Sequence, residues 1–497
     1  MNTMGCVNFF RQAAIFYLFF CLFLPGQAQQ ASNRIVAENQ KPGTRDWLLS
    51  KVDTVRTIIK ASGSESPYLA RSKKVEGYVS RTSYAAGDTI QVYVSTEPAA
   101  QFRLDIFRMG CYQGNGGRKM LSAGPLNGIS QPTPEDGQRN IREAAWQQSH
   151  SFVVPGDWLS GVYLGKLTEL TDGNQAYVIF VVKDKRKADF MFQVSDLTWQ
   201  AYNRWPAWRS LYDYQDNLWN TKGGNIISFD RPYTFYHNGL PSGLNYLTNG
   251  SGEFLLWEFP LAFWLEREGY DVTYTSNLDT HQDPDGLLRC KGFLSVGHDE
   301  YWTRQMYAHV TRAREAGVNL LFLGGNSMDG EIFLTTSSAG QPDRVMGRIR
   351  DFPDEQQLMG AASYGVGLGS WTVRQADHWV FNNTGLKNGD AIPDLVGWEY
   401  HGPPLRNDPT LVVLAQSKLE EKWNPKPDIY ATTIYNGPKG NFVFNAATCW
   451  WSMPLSSPPG FRNPPNKDFT REDARVQQIT RNLLQKARTS AWPTVKQ

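Results

Sequence analysis

The sequence predicts a multidomain protein: a β-sandwich followed by a mostly parallel α/β unit. Three observations predict it. The chain has 497 residues, more than a single ordinary core accommodates. Between about residues 75 and 185, apolar residues recur at every second position, the strand period. From about residue 188 onward, short apolar runs alternate with helical patterns, as in successive strand–helix units.

Residues 1–28 read as a secretory signal. Arg11 precedes an apolar run over residues 13–24, and Gly26 and Ala28 offer small side chains for cleavage. The run is short for a membrane span, so the expectation is a soluble, exported protein, secreted or periplasmic, with no membrane partner once the signal is removed. Cys6 and Cys21 leave with the signal, and Cys111, Cys290 and Cys449 remain. An odd number forbids a complete disulfide framework; one bridge or three buried thiols stay open. Residues 29–74 form a polar extension with one expected helix over residues 47–59.

In the sandwich region, residues 75–185, Ile90, Val92 and Val94 alternate with polar neighbours, as do Phe102, Leu104 and Ile106. Runs over residues 162–167 and 177–182 follow, separated by Gly, Pro and Asp turns. The glycine-rich stretch from Arg108 to Arg118 reads as a structural loop, because no helix follows it to complete an anion cradle.

The α/β unit is assigned to residues 186–490. Strands are expected over residues 190–194, 225–229, 271–274, 293–296 and 318–323, with helices over 254–268, 303–316 and 468–487. Further strands are expected over 379–381, 395–400 and 441–445. The change of period near residue 185 predicts separate cores for the two units.

Composition narrows the function classes. Net charge is +2, which makes no electrostatic case for nucleic acid. The aromatic fraction of 13%, with 17 Trp, suits a cleft for a small molecule as well as it suits a core.

The stretch that organises the α/β unit is Gly292-Phe-Leu-Ser-Val-Gly-His-Asp-Glu-Tyr-Trp302. It places His298, Asp299 and Glu300 just past a strand end, where ligands bind in open parallel sheets. Asn203, Asn277 and Asn326 also follow strand ends. The Gly324-Gly-Asn-Ser327 turn sits where a nucleophile elbow would lie but carries Asn at the nucleophile position, which argues against a cysteine or serine triad. Glu399 with Asp299 or Glu300 leaves a carboxylate-pair glycosidase open. A metal is the other reading. His298 and Glu300, two apart on an extended segment, face one side. Tyr202 and Tyr233 lie on neighbouring loops, and phenolate is a hard oxygen donor suited to Fe3+.

The segments Thr198-Trp-Gln-Ala-Tyr-Asn-Arg-Trp205, Ser228-Phe-Asp-Arg-Pro-Tyr233, Gly297-His-Asp-Glu-Tyr-Trp302, Gly324-Gly-Asn326 and Val396-Gly-Trp-Glu-Tyr400 resemble the large (β) subunit of N,N-dimethylformamidase and its relatives. The likeness covers about residues 75–455. It implies an Ig-like or jelly-roll sandwich before a glutamine-amidotransferase-like, flavodoxin-like α/β domain. It also implies a mononuclear iron held by two tyrosines and a glutamate, and hydrolysis of a small amide. Carried over by position, Glu300 and Tyr202 are metal ligands, with Tyr233 as the second tyrosine and Tyr236 and Tyr212 as rivals. His298, Asn326 and Glu399 fall at catalytic positions, with Glu399 or His298 as general base and Asn326 as oxyanion donor. A small-molecule substrate is implied; a homo-oligomer stays open, and no small partner subunit is visible within the chain. The alternative function is a non-catalytic secreted protein that binds a small ligand or carbohydrate. Two local expectations complete the reading: Tyr202, Tyr233, His298, Glu300 and Asn326 share one pocket, and Asp299 caps a helix that begins near Tyr301.

Overall fold

The computed structural model describes residues 1, 33–53, 56–61, 64–69, 71–206, 209–213, 224–234, 248–405, 407–422, 428–460 and 472–494. The signal at residues 1–28 therefore lies, but for Met1, outside the described residues, as does Tyr236. The protein is a mixed α/β structure with several β-sheets.

Residues 76–182 build two facing sheets. One has five strands, in the order Ser83–Tyr84, Gln175–Val182, Gly161–Glu169, Gln101–Met109 and Gly117–Asn127. The other has three: Glu76–Val79, Thr89–Ser95 and His150–Val153. Ile90, Val92 and Val94 meet Phe102, Leu104, Ile106, Val178 and Phe180 between them.

The long sheet is buried on its other face as well. Phe107, Val162, Leu164, Tyr177, Ile179 and Val181 join Phe190, Phe192, Phe259 and Leu261 of the following region in one cluster. Each such side chain is worth about 1.5–3 kcal/mol on burial. The sandwich interior is thus a core of its own, as expected, and the sheets are separate, but the outer face of the long sheet shares its packing with the following region. The apolar run Tyr177-Val-Ile-Phe-Val-Val182 fits this, because a strand covered on both faces needs no polar positions.

The Arg108–Arg118 loop belongs to the same junction. Arg108, fully buried, donates to both carboxylate oxygens of Glu266 at 2.7 and 3.0 Å. Asn39, at the end of the helix Arg34–Asn39, accepts from the backbone N–H groups of Cys111 and Tyr112. The extension contains this helix rather than one over residues 47–59; Arg56–Ala61 instead pairs as a strand with Ser64–Leu69, in keeping with its Thr57, Ile58 and Ile59. Cys111, Cys290 and Cys449 are buried free thiols.

The second region carries a seven-stranded sheet in the order Val272–Ser276, Ala188–Val194, Cys290–Gly297, Asn319–Gly324, Phe442–Asn445, Thr432–Asn436 and Val412–Ala415. The first five are parallel and the last two pairings are antiparallel. The chain runs outward from Ala188–Val194 to Val272–Ser276, then crosses to the other side at Cys290–Gly297. The order of strands therefore reverses between Ala188–Val194 and Cys290–Gly297, and the crevice at such a switch point is where a ligand fits.

Four expected elements differ. Ile226–Ser228 pairs antiparallel with Val345–Asp351 in a separate sheet, not with the parallel one. Residues 379–381 form a single tight helical turn. The run over 395–400 is divided at Gly397 and Trp398 between Ala391–Val396 and Glu399–Pro404. The helix expected over 254–268 begins with a wide turn, Phe254–Glu258, before the regular helix Phe259–Arg267, whose first turn contains Pro260. Among the described residues no helix is long and apolar enough to cross a membrane.

Candidate metal and acid–base site

The site forms where the Ala188–Val194 and Cys290–Gly297 strands end. The first strand passes through Ser195 into the fully buried helix Asp196–Tyr202, whose last residue is Tyr202. The second ends at Gly297, with φ 69°, where a Cβ would stand 2.5 Å from Cβ of Trp257. Only glycine turns here, and the turn sends His298 and Glu300 into the same space.

Glu300 is the centre. Its Oε2 accepts from the Tyr202 hydroxyl at 2.5 Å and its Oε1 from the Tyr212 hydroxyl at 2.9 Å. The two hydroxyls lie 3.3 Å apart, with their rings stacked at 4.9 Å. Tyr212 also contacts the Tyr301 hydroxyl. The Glu300 backbone is anchored by Thr198 Oγ1, which accepts its N–H at 2.9 Å.

His298 is fully buried beside this cluster. Its Nε2 lies 2.8 Å from Glu399 Oε2 and 3.1 Å from Glu300 Oε2, and its Nδ1 lies 3.4 Å from Glu253 Oε2. These are ion-pair distances, yet neither ring nitrogen nor Glu399 Oε2 has a partner along a hydrogen-bond line. Burial opposes charge on His298, but the carboxylates of Glu399, Glu253 and Glu300 outweigh it and hold its pKa well above the ordinary histidine value. Burial pushes Glu399 and Glu253 upward, against the pull of His298. Asp329, half-buried, is pushed up to about 7, first by desolvation and then by the Glu300 carboxylate. This excess of buried acid over buried base is the setting in which a bound cation relieves repulsion.

The third wall comes from the Asn319–Gly324 strand. At Gly325 a Cβ would stand 2.2 Å from the Glu399 carbonyl oxygen, so glycine brings this turn directly onto the Glu399–Pro404 strand. Asn326 follows with φ 52° and accepts from the Ser363 hydroxyl through Oδ1, which leaves its Nδ2 as a donor. The turn is held from behind: Ser327 N–H donates to His401 Nε2 at 2.7 Å, and His401 Nδ1 meets Asn445 Oδ1 at 2.6 Å. Burial pushes His401 down to about 4, so it is neutral with its proton on Nδ1.

Of the residues expected from sequence, Tyr202, His298, Glu300 and Glu399 meet within hydrogen-bond or ion-pair distance, and Asn326 lies on the turn packed against Glu399. Tyr233 does not take the expected place beside Glu300. It follows the Ile226–Ser228 strand, stands edge-on to Trp199 at 6.2 Å, and its hydroxyl bonds the Gln200 side chain. The second tyrosine on Glu300 is Tyr212, the rival position.

Asp299 is also corrected. Its carboxylate accepts from Gln193 Nε2 at 2.8 Å, Asn277 Nδ2 at 2.9 Å and Ser295 Oγ at 2.8 Å. Tyr301–Trp302 pairs as a strand with Gly330 and Glu331, which delays the helix to Arg304–Ala316. Thr303 caps it, accepting from the Met306 N–H at 3.2 Å. Sequence reasoning missed Glu253 and His401. Glu253 left no sequence signal. His401 stands two residues beyond Glu399 on one strand, the spacing that links His298 to Glu300, and could have been found that way.

Three oxygen donors from Tyr202, Tyr212 and Glu300 converge within 3.3 Å of one another, and such a hard set fits a hard trivalent ion. His298, Glu300 and Glu399 form a second, overlapping group whose ligand atoms lie within 4.8 Å of each other. Both sets meet through their ligand atoms, and the tyrosine set is the one made of oxygen donors alone.

The family model described as N,N-dimethylformamidase beta subunit-like, C-terminal, matches residues 103–466, more than half of the chain. No curated protein matches the sequence. A 1.4 Å crystal structure of an uncharacterized protein from Bacillus anthracis str. Ames is 10% identical, covers 22% of this chain and 84% of its own, and has a TM-score of 0.15, too low to carry an argument.

Proposed function

The chain belongs to the N,N-dimethylformamidase beta subunit-like family, and on that premise we propose that it is an exported, iron-dependent hydrolase of a small amide or related C–N bond. The observation that carries the reading is the meeting of Tyr202 and Tyr212 on one Glu300 carboxylate, with the His298–Glu399 pair beside it. Tyr202, Tyr212 and Glu300 would hold Fe3+, which when bound supplies Lewis acidity and lowers the pKa of water.

The remaining chemistry falls to the chain's own groups. Glu399, desolvated and with a raised pKa, takes the proton of the attacking water at a carboxylate oxygen. His298 Nε2, 2.8 Å from that carboxylate, holds a proton that can pass to the departing amine. Asn326 Nδ2 donates to the oxygen on which negative charge develops. Gly325 and His401 fix the turn that aims Asn326.

The wider organisation is part of the same proposal. Residues 1–28 are a cleaved signal and residues 29–74 an extension. Residues 75–185 are an Ig-like or jelly-roll sandwich, and residues 186–490 a glutamine-amidotransferase-like, flavodoxin-like domain. The reversal of strand order beside Ala188–Val194 supports that last assignment. The family's description as a beta subunit supports a partner subunit.

The test is amine release from a panel of small amides, N,N-dimethylformamide first, by the mature protein before and after chelation. The reading requires release that chelation stops and Fe3+ restores. Release that survives chelation would point to the carboxylates alone. No release from any amide, with no iron bound, would leave a ligand-binding protein.

A further inference from the structure

Tyr202 and Tyr212 are ten residues apart along the chain, the first at a helix end and the second in the segment beyond it, yet both reach one carboxylate. Something must bend the chain back between them. Arg231 is fully buried next to this bend, outside the site itself. Its Nη2 donates to the carbonyls of Gln200 at 3.2 Å and Asn203 at 3.0 Å. Its Nη1 donates to the carbonyls of Trp205 at 3.0 Å and Arg209 at 2.8 Å. Its Nε donates to Gln200 Oε1 at 3.3 Å. A guanidinium has five N–H donors in a fixed fork, and here each has an acceptor.

Of those carbonyls, Gln200's lies in the last turn of the Asp196–Tyr202 helix, where it also accepts from the Asn203 N–H at 3.1 Å, and Asn203's belongs to the residue that caps that helix. The other two belong to the returning segment. One planar group thus ties the helix end that carries Tyr202 to the segment that carries Tyr212. Neighbouring bonds run the same way: Asn203 Nδ2 donates to the Pro232 carbonyl at 2.9 Å, and Leu211 N–H donates to the Ala201 carbonyl at 2.9 Å.

We infer that Arg231 is a positioning residue that folds the tyrosine-bearing segment into place before any ligand binds, so that Tyr202 and Tyr212 face Glu300 together. Burial lowers its pKa to about 9, so it remains charged at neutral pH. Lysine, with one point charge in place of a five-donor fork, cannot span four carbonyls. The inference concerns the arrangement of the segment and rests on the proposed iron site only for its spectroscopic readout.

The experiment is hydrogen exchange by mass spectrometry on the metal-free wild type, Arg231→Lys and Arg231→Met, followed by Fe3+ titration of each. In both variants exchange in the peptide spanning residues 200–213 should rise at least ~10-fold, with peptides over residues 290–297 and 319–324 unchanged, the pattern of local opening. On adding Fe3+, both variants should need at least ~10-fold more metal to develop a tyrosinate-to-iron band, as for a site whose competent state is thinly populated. Unchanged exchange in residues 200–213 would overturn the inference whatever the metal does. So would a loss of protection across the whole sheet in both variants, which would make Arg231 a general core residue. If the wild type binds no iron while the exchange result holds, the iron reading fails and this inference stands.

Discussion

The two sides of Glu300 are built by different means. On one side, His298, Glu300 and Asn326 follow the ends of adjacent parallel strands, and Glu399 begins a strand packed against them. Their positions follow from sheet register and from glycines that admit close approach. On the other side, Tyr202 and Tyr212 hang from a helix end and a returning segment, held by side-chain bonds to carbonyl oxygens. The first side is set by backbone geometry, the second by a network of bonds around buried Arg231, with the buried Arg204–Asp213 pair and the Leu211–Ala201 backbone bond beside it. The strand-end side should therefore depend on its own donors and on the close-packed Gly297, Gly325 and His401 that fix its turns, whereas the tyrosine side should be sensitive to the polar groups that hold its bend.

The largest effect expected on the strand-end side is at its one shared donor. Glu300→Ala should abolish iron binding and any hydrolysis while far-UV circular dichroism stays that of the wild type, since the Glu300 carbonyl that accepts from the Gly330 N–H belongs to the backbone and is kept. Iron bound at wild-type stoichiometry in this variant would place the metal elsewhere. Asp299, next in the chain, should behave oppositely. Its loss strands three buried donors, so Asp299→Ala should cost about 3 kcal/mol or more in denaturant unfolding and still bind iron once folded.

These two neighbours show what was legible in the sequence. His298 and Glu300 could be read as a pair because a two-residue spacing after a strand has a fixed meaning. Asp299 could not, because its partners come from Gln193 on the adjacent strand and Asn277 past the next, contacts that only the folded sheet creates. The helix start was misread for a related reason: Tyr301–Trp302 pairs with Gly330 and Glu331, far along the chain. On the tyrosine side, Tyr202 was legible through its motif. The choice between Tyr212 and Tyr233 depended on which way the chain turns after the helix, and no local pattern encodes that. The shared packing between sandwich and α/β regions was visible only as an unbroken apolar run, which a single-sheet reading absorbs without remark.

His401 offers a test of how firmly the Asn326 turn is held. Its pKa falls from the ordinary histidine value to about 4 on folding. Between pH 6.5 and 4 the unfolded chain therefore binds the extra proton, so stability falls as pH drops through that window and is fully retained above it. The contribution lost is roughly 3 kcal/mol. His401→Gln should remove this slope when unfolding free energy is measured at several pH values, and a slope equal to the wild type's would show that His401 is not the group responsible. The smallest effect expected lies farthest from the site. Thr303→Ala removes the true cap of the Arg304–Ala316 helix and should cost about 0.5–2 kcal/mol with iron affinity intact. A loss of iron in that variant would mean that the strand-end side is less self-sufficient than its register implies.

The central claim is that Tyr202, Tyr212 and Glu300 hold the metal, and the visible spectrum of the iron-loaded protein tests it most directly. Wild type should show a tyrosinate-to-iron charge-transfer band. Tyr212→Phe should weaken and shift that band at saturating iron, and Tyr233→Phe should leave it unchanged. A wild type that shows no such band, or a band lost in Tyr233→Phe and kept in Tyr212→Phe, would contradict the account.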